Sequence, residues 1–131
     1  MSEKEIPEKK VLIVDDNPIF GEIFKTILIL IENFKFEIQQ AYSIKVAEKV
    51  IKEFAPDLIL CDGNVDTESR FDGFEFAKKL RQKFVDEIKL VSISGSNPDQ
   101  KGFKNIFDFH HRKDGDPKNF NKKSSNYFRE F

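Results

Sequence analysis

Asp15 and Asp16 stand side by side in Val11-Leu12-Ile13-Val14-Asp15-Asp16-Asn17-Pro18, where an apolar run meets a turn. Asp62 holds the same position at the end of Asp57-Leu58-Ile59-Leu60-Cys61-Asp62. Carboxylate oxygens are hard ligands suited to Mg2+ or Mn2+, and Mg2+ keeps open positions for phosphate oxygens. A carboxylate beside such an ion can attack phosphorus and form an acyl phosphate. Three carboxylates at one point repel unless a cation lies between them or one is protonated. Ser94, just ahead of Gly95, can donate a hydrogen bond to a phosphoryl oxygen, and Lys113 can set a positive charge against another. No thiol or hydroxyl in these stretches comes with a positioned base that would make it the nucleophile instead.

The elements that must carry these residues follow from the pattern. Short continuous apolar runs ending in Asp fit strands covered on both faces. Ile19, Phe20, Ile23, Phe24, Ile27, Leu28 and Ile31 have the spacing of one helix face, with Asn17 and Pro18 suited to its N-cap and first turn. Phe36 to Ala41 predicts a second strand. Ser43 caps a helix with Ala47, Val50, Ile51 and Phe54 inward, and Pro56 ends it. After the strand Asp57–Asp62 comes a polar loop from Gly63 to Phe71. Asp72 then caps a helix with Phe74, Ala77, Leu80 and Phe84 inward. Lys89 to Gly95 is a fourth strand. Asn97-Pro98-Asp99-Gln100 starts a helix that Gly102 stops after little more than a turn. Ile106 to Lys113 is a fifth strand, and Asp116-Pro117 opens a final helix with Phe120, Tyr127, Phe128 and Phe131 inward. Strand and helix alternate five times, which implies an α/β fold: a five-stranded parallel sheet with helices on both faces. Functional groups of such sheets gather beyond the carboxyl ends of the strands. Asp15, Asp16, Asp62, Ser94 and Lys113 are the residues at those ends.

The bulk properties narrow the function. At 131 residues, the chain fits one domain, read as a flexible lead-in over residues 1–9 and a single domain over 10–131. Net charge is −1, so no global field draws nucleic acid. One cysteine excludes an intramolecular disulfide and suits a reducing cytoplasm, and Cys61 within its apolar strand reads as a core residue. No stretch approaches the roughly 18 to 20 apolar residues of a membrane span, and the N-terminus lacks the apolar segment of a signal peptide.

From about Lys10 onward the sequence resembles the receiver domains of two-component response regulators. Val11 to Asn17 looks like their first strand with its acidic pair, and Pro56 to Asp62 like the third strand ending in the phosphoacceptor. Ser94-Gly95 and Lys113 match the ends of the fourth and fifth strands. The resemblance implies a flavodoxin-like sheet in the order 2-1-3-4-5, here with a shortened fourth helix. It implies Mg2+ (or Mn2+) on Asp15, Asp16, Asp62 and the backbone carbonyl of Asn64. It makes Asp62 the phosphoacceptor, and it puts Ser94 and Lys113 on the phosphoryl oxygens. His110 falls where the family has an aromatic that rotates with phosphorylation.

The implied function is a cytoplasmic switch rather than a turnover enzyme. A histidine kinase or phosphotransfer protein supplies the phosphoryl group, and output passes to a downstream protein target. The chain would be a monomer or a phosphorylation-dependent dimer, with no direct DNA contact and no membrane contact.

Several features depart from the family. Asp72-Gly73 follows Asp62 by ten and eleven residues, so the loop Val65-Asp66-Thr67-Glu68-Ser69-Arg70 is about three residues longer and lacks the usual proline. The segment from Ser94 to Lys113 is about three residues short. Asp114 stands where the family has a proline in a cis peptide, and no output domain accompanies the receiver. Arg112 competes with Lys113 for the phosphate, because the alternation along Ile106–Lys113 leaves open which side chains face the site. The adjacent His110 and His111 point to opposite faces of a strand, which argues against a chelating pair. Two rival readings remain: a degenerate receiver acting as a phosphorylation-independent scaffold or dimerisation module, and an aspartyl-nucleophile phosphatase. The second lacks its acid/base Asp, because the position two beyond Asp62 is Asn64.

Overall fold

The computed structural model describes residues 8–30, 35–65, 72–84, 87–95 and 98–112. Lys113, Asp114 and the expected final helix lie outside the described residues, as do residues 66–71 of the loop after Asp62.

The elements are β1 (Glu8–Val14), α1 (Pro18–Ile29), β2 (Lys35–Ala41), α2 (Ile44–Phe54), β3 (Leu58–Asp62), α3 (Asp72–Phe84), β4 (Lys89–Ser94), a single 3-10 turn (Pro98–Lys101) and β5 (Phe109–Arg112). The strands form one sheet in the order β2-β1-β3-β4-β5, all parallel. β1 begins three residues ahead of its apolar run, because Glu8, Lys9 and Lys10 pair with Lys35, Phe36 and Glu37 of β2. Every residue of β3 is buried, as its unbroken apolar run requires, whereas the outer strand β2 alternates exposed and half-buried residues.

Side chains alternate across each strand, so the sheet sorts its apolar residues into two layers. Leu12, Val14, Ile59, Cys61 and Leu90 face α2 and α3, where Ala47, Ile51, Phe74, Ala77 and Leu80 cover them. Val11, Ile13, Leu58, Leu60, Val91 and Ile93 face the other way and meet Phe24 and Leu28 of α1. Full burial of each such side chain contributes roughly 1.5–3 kcal/mol, and this drives the layering. The inward face of α1 is narrower than the sequence pattern suggests. Phe20, Phe24 and Leu28 define it at intervals of four, while Ile19 is 67% exposed. On α3, Phe76 joins the expected inward residues.

The helix ends obey local chemistry. Ser43 Oγ accepts the Val46 N–H at 3.1 Å. Ala55 adopts φ 50° and donates its N–H to Ile51 O, closing α2 before Pro56. Asp57 then fixes the start of β3. Its N–H donates to Lys10 O, its Oδ2 accepts from Lys10 N, and its carbonyl accepts from Lys89 N.

β5 starts at Phe109, later than the expected Ile106. Asn105 takes a left-handed φ of 68°, and the Ile106 carbonyl accepts from Arg81 Nε at 2.8 Å, so neither residue continues an extended ladder. Arg81 also donates to Ile88 O and forms an ion pair with Asp108 Oδ2 at 2.7 Å. The same Oδ2 accepts the Leu90 N–H at 2.8 Å, and Asp108 N donates to Leu90 O. One guanidinium thus clamps α3, β4 and the approach to β5. Among the described residues, no helix is long and apolar enough to cross a membrane.

Asp108→Ala strips this clamp of its shared acceptor and leaves the part-buried Leu90 N–H without that bond. A loss of about 1–3 kcal/mol is expected in urea denaturation. An unchanged midpoint would mean that the clamp does not hold the fold.

Candidate functional site

Val14 and Cys61 are partners in the β1–β3 register, so Asp15 and Asp62, which follow them, reach the carboxyl edge of the sheet side by side. Asp15 extends the ladder by one bond, from its N–H to Ala41 O, and its side chain is buried. Its Oδ1 accepts the Asn17 N–H at 2.9 Å, and Asn17 Oδ1 accepts the Ile19 N–H at 3.0 Å. These two bonds turn the chain from β1 into α1 and leave Asp16 exposed beside Asp15. Asp62, 7% exposed, completes the group from β3. One ligand oxygen from each of Asp15, Asp16 and Asp62 lies within 4.8 Å of the others.

That crowding has an electrostatic cost. Two carboxylate charges at such a distance repel by on the order of 3 kcal/mol at an effective dielectric of about 20. A divalent cation removes the cost. Oxygens on opposite sides of a six-coordinate Mg2+ lie about 4.2 Å apart, twice the ligand distance of about 2.1 Å. The three carboxylates therefore fit such an ion in both spacing and donor type.

Ser94 ends β4, one residue past the partner of Asp62, and is 2% exposed. Gly63 explains how it comes so near. A Cβ at Gly63 would lie 2.8 Å from Ser94 Oγ and 2.9 Å from the Phe74 ring, so only glycine admits both. Phe74 is fully buried and continues into Phe103 and Phe107, with ring centroids 5.3 Å and 5.5 Å away. The site and the segment after the 3-10 turn thus share one run of packed groups.

The lengthened loop is tied at its neck. Gly73 N donates to Gly63 O at 3.0 Å, and Asp72 Oδ1 accepts the Val65 N–H at 2.7 Å. Val65 is fully buried. Gly73 presses on the backbone of Asp62 so closely that any Cβ there would overlap the Asp62 carbonyl oxygen. Asp72 opens α3, as its capping position predicts, and also holds the loop, a role that helix capping alone does not reveal. The Asp-Gly doublet was its visible signal.

Cys61 lies behind Asp62, its Sγ 3.3 Å from the Asp62 carbonyl and 3.5 Å from that of Gly73. Burial first, and then the charges of Asp62, Asp15 and Asp72, push its thiol well above the usual range, so it stays protonated and unreactive.

His110 shares a sheet face with Ser92, opposite the face of Phe109. Its Nδ1 is 3.0 Å from Ser92 Oγ, whereas Phe109 packs with the α1 layer. The structure therefore brings together Asp15, Asp16, Asp62, Asn64 and Ser94, with His110 on the adjoining strand. Asn64 is exposed, and its N–H reaches Asp62 Oδ1 at 3.4 Å. Lys113 lies outside the described residues.

A family model for the response regulator receiver domain matches residues 11–108. No curated protein matches the chain at a significant level. Solved structures match over nearly the whole chain. A CheY-like response regulator receiver domain protein from Methanospirillum hungatei is 23% identical with a TM-score of 0.73, covering 93% of this chain and 94% of its own. The BeF3-activated receiver domain of RstA from Klebsiella pneumoniae is 20% identical with a TM-score of 0.74, covering 92% and 98%. The receiver domain of NtrX from Brucella abortus is 20% identical with a TM-score of 0.74, covering 91% and 98%. At these identities the likeness is one of fold.

Gly73→Ala must push α3 off the end of β3. The expected result is a loss of about 1–3 kcal/mol in urea denaturation, with weaker Mg2+ binding in a titration of the folded variant. A variant with both values unchanged would show that α3 does not bear on Asp62.

Proposed function

The chain belongs to the response regulator receiver domain family, and on that footing we propose that it is a phosphorylation-dependent switch with Asp62 as phosphoacceptor. One observation carries the reading: Asp62 shares the carboxyl edge of the sheet with Asp15 and Asp16, an oxygen of each lying within 4.8 Å of the others, and Ser94 Oγ lies against the next residue, Gly63.

In this reading Asp15 and Asp16 hold Mg2+ together with Asp62 and the Asn64 carbonyl. The bound ion supplies positive charge against the phosphoryl oxygens. An Asp62 oxygen attacks the phosphorus of a phosphohistidine on a histidine kinase or phosphotransfer protein. The new O–P bond forms as the P–N bond breaks, and the donor imidazole leaves with the electron pair. Ser94 Oγ donates a hydrogen bond to one phosphoryl oxygen, and Lys113 is assigned to another. The added charge draws Ser94 toward Asp62 and shifts the neighbouring surface. Receiver domains are signalling modules rather than turnover enzymes, and output passes by protein contact. The site of action is the cytoplasm, where such donors work.

An exposed apolar surface suits the donor. Pro18, Ile19, Glu22, Ile23 and Thr26 line a shallow groove of about 500 Å3 on α1, directly after Asp16 in the chain. The phosphatase reading is disfavoured by Asn64, whose amide cannot act as acid or base at the position where those enzymes need an Asp.

Beryllofluoride with Mg2+ should shift the backbone NMR signals around Asp62, and a small-molecule phosphodonor should add the mass of one phosphoryl group. Asp62→Asn should abolish both. If the parent shows neither effect and Asp62→Asn binds partners equally well, the chain is a scaffold. A further variant separates donor docking from chemistry. Ile19→Lys should slow phosphotransfer from a phosphohistidine protein while leaving modification by the small donor unchanged; equal slowing of both would remove α1 from the docking surface.

A further inference from the structure

A cleft of about 780 Å3 lies between the later turns of α2 and α3. Pro56 and Asp57, ahead of β3, and Ile88, ahead of β4, place it at the amino edge of the sheet. The acidic cluster stands at the other edge, a strand length away, which is roughly 16 Å for the five residues of β3. The phosphoryl chemistry makes no use of this cleft. The two helices cover the same face of the sheet, and apolar residues of both floor the gap between them. Ile51, Phe76, Leu80 and Ile88 line it and keep 5–8% exposure, whereas Leu12, Ile59 and Phe74 in the same layer have none. The floor is thus the outer skin of the core, and the half-buried Phe84 adds a ring beside it.

Charge is spread unevenly around that floor. Lys79 and Lys83 are four residues apart and so share one face of α3, and among the described residues no carboxylate of α3 lines the cleft. Lys52 adds a third cation from α2. The carboxylates of the lining stand elsewhere: Glu48 on α2, Glu87 beyond α3, and Asp57, whose Oδ2 accepts the Lys10 N–H. No ion pair among the described residues uses any of the three lysines. Lys83 Nζ lies over the Phe84 ring instead, 5.5 Å from its centroid. Lysine suits such a rim, because its stem packs on apolar surface while its ammonium group stays in water.

We propose that the α2–α3 cleft is a second binding site, which takes a small amphiphilic anion: an apolar body on Ile51, Phe76, Leu80 and Ile88, and a carboxylate against Lys79 and Lys83. The volume falls in the range of small-ligand cavities, about 300–1,000 Å3, and an apolar floor with a few charged groups on one side is how such cavities orient what they hold. The grouping of cations on the α3 wall sets the sign of the head group. The proposal stands apart from the phosphoacceptor reading, since no residue of the acidic cluster takes part.

The test titrates the full 15N-labelled chain with decanoate, octanoate and decylammonium, each below its micelle concentration, without Mg2+ or beryllofluoride. Decanoate should saturate at one molecule per chain and shift the backbone amides of Ile51, Leu80 and Ile88. Octanoate should bind more weakly, by up to about fourfold for each missing methylene. Decylammonium has the same tail as decanoate and should bind several-fold more weakly. Lys79→Gln should weaken decanoate roughly two- to fivefold. Lys79→Glu combined with Lys83→Glu should invert the order, so that decylammonium binds better than decanoate. Both positions are exposed, so these variants keep the fold. The absence of a saturable shift with decanoate overturns the site, and so do shifts centred on Ile19 and Ile23 of α1. An affinity indifferent to the sign of the head group, or to both lysine variants, overturns it as well. No phosphoryl group enters the readout, so a failure here leaves the phosphoacceptor reading where it stood, and a failure with beryllofluoride leaves the cleft where it stood.

Discussion

Repulsion among three carboxylates is the constraint around which this domain is arranged. Asp15 and Asp62 are held at the edge of a rigid sheet by the β1–β3 register, with Asp16 beside them, and oxygens from all three fall within 4.8 Å. The backbone softens the strain by giving Asp15 an N–H from Asn17 and Asp62 a long bond from Asn64. It does not cancel three negative charges. The local energy therefore depends strongly on whether a cation lies between them.

Packed groups connect the site with the segment beyond β4. Gly63 leaves room for both Ser94 and the Phe74 ring, and Phe74 touches Phe103 and Phe107 beyond the 3-10 turn. The far end of that segment is anchored by Arg81, which binds Ile106, Ile88 and Asp108 at once. A displacement at Ser94 thus meets a segment supported by an aromatic cluster on one side and an ionic clamp on the other. Among the described residues between β4 and β5, the one helical element is the 3-10 turn Pro98–Lys101.

Much of this could be read from residue order. Unbroken apolar runs ending in Asp marked β1 and β3, because a strand buried on both faces has no polar alternation. Ser43 and Pro56 bounded α2 through local hydrogen bonding and ring sterics, which act the same way in any fold. The failures share one cause, which is competition from distant groups. Ile106 to Asp108 looked extended, but Arg81, twenty-five residues away, takes the Ile106 carbonyl. Ile19 had helical spacing, yet α1 has more apolar residues than one layer can cover. Ser92 carries no sign in its own strand of the contact with His110, which the neighbouring strand sets. The acidic cluster was foreseeable because strand topology alone brings it together, whereas its glycine supports are visible only as contacts.

The neck of the loop after Asp62 has a consequence for how such a domain can vary. Gly63 and Val65 on one side are fastened to Gly73 and Asp72 on the other, and Val65 is sunk in the core. Whatever length of chain runs between these two fastenings, the ends meet in the same place. Lengthening a closed loop costs little, about 0.6 kcal/mol for each doubling. A change in the length of chain between the fastenings therefore need not move the carboxylates a few residues away. Insertions there can accumulate, and new recognition surfaces can be tried, at the rim of a reactive centre whose own geometry does not have to be rebuilt each time.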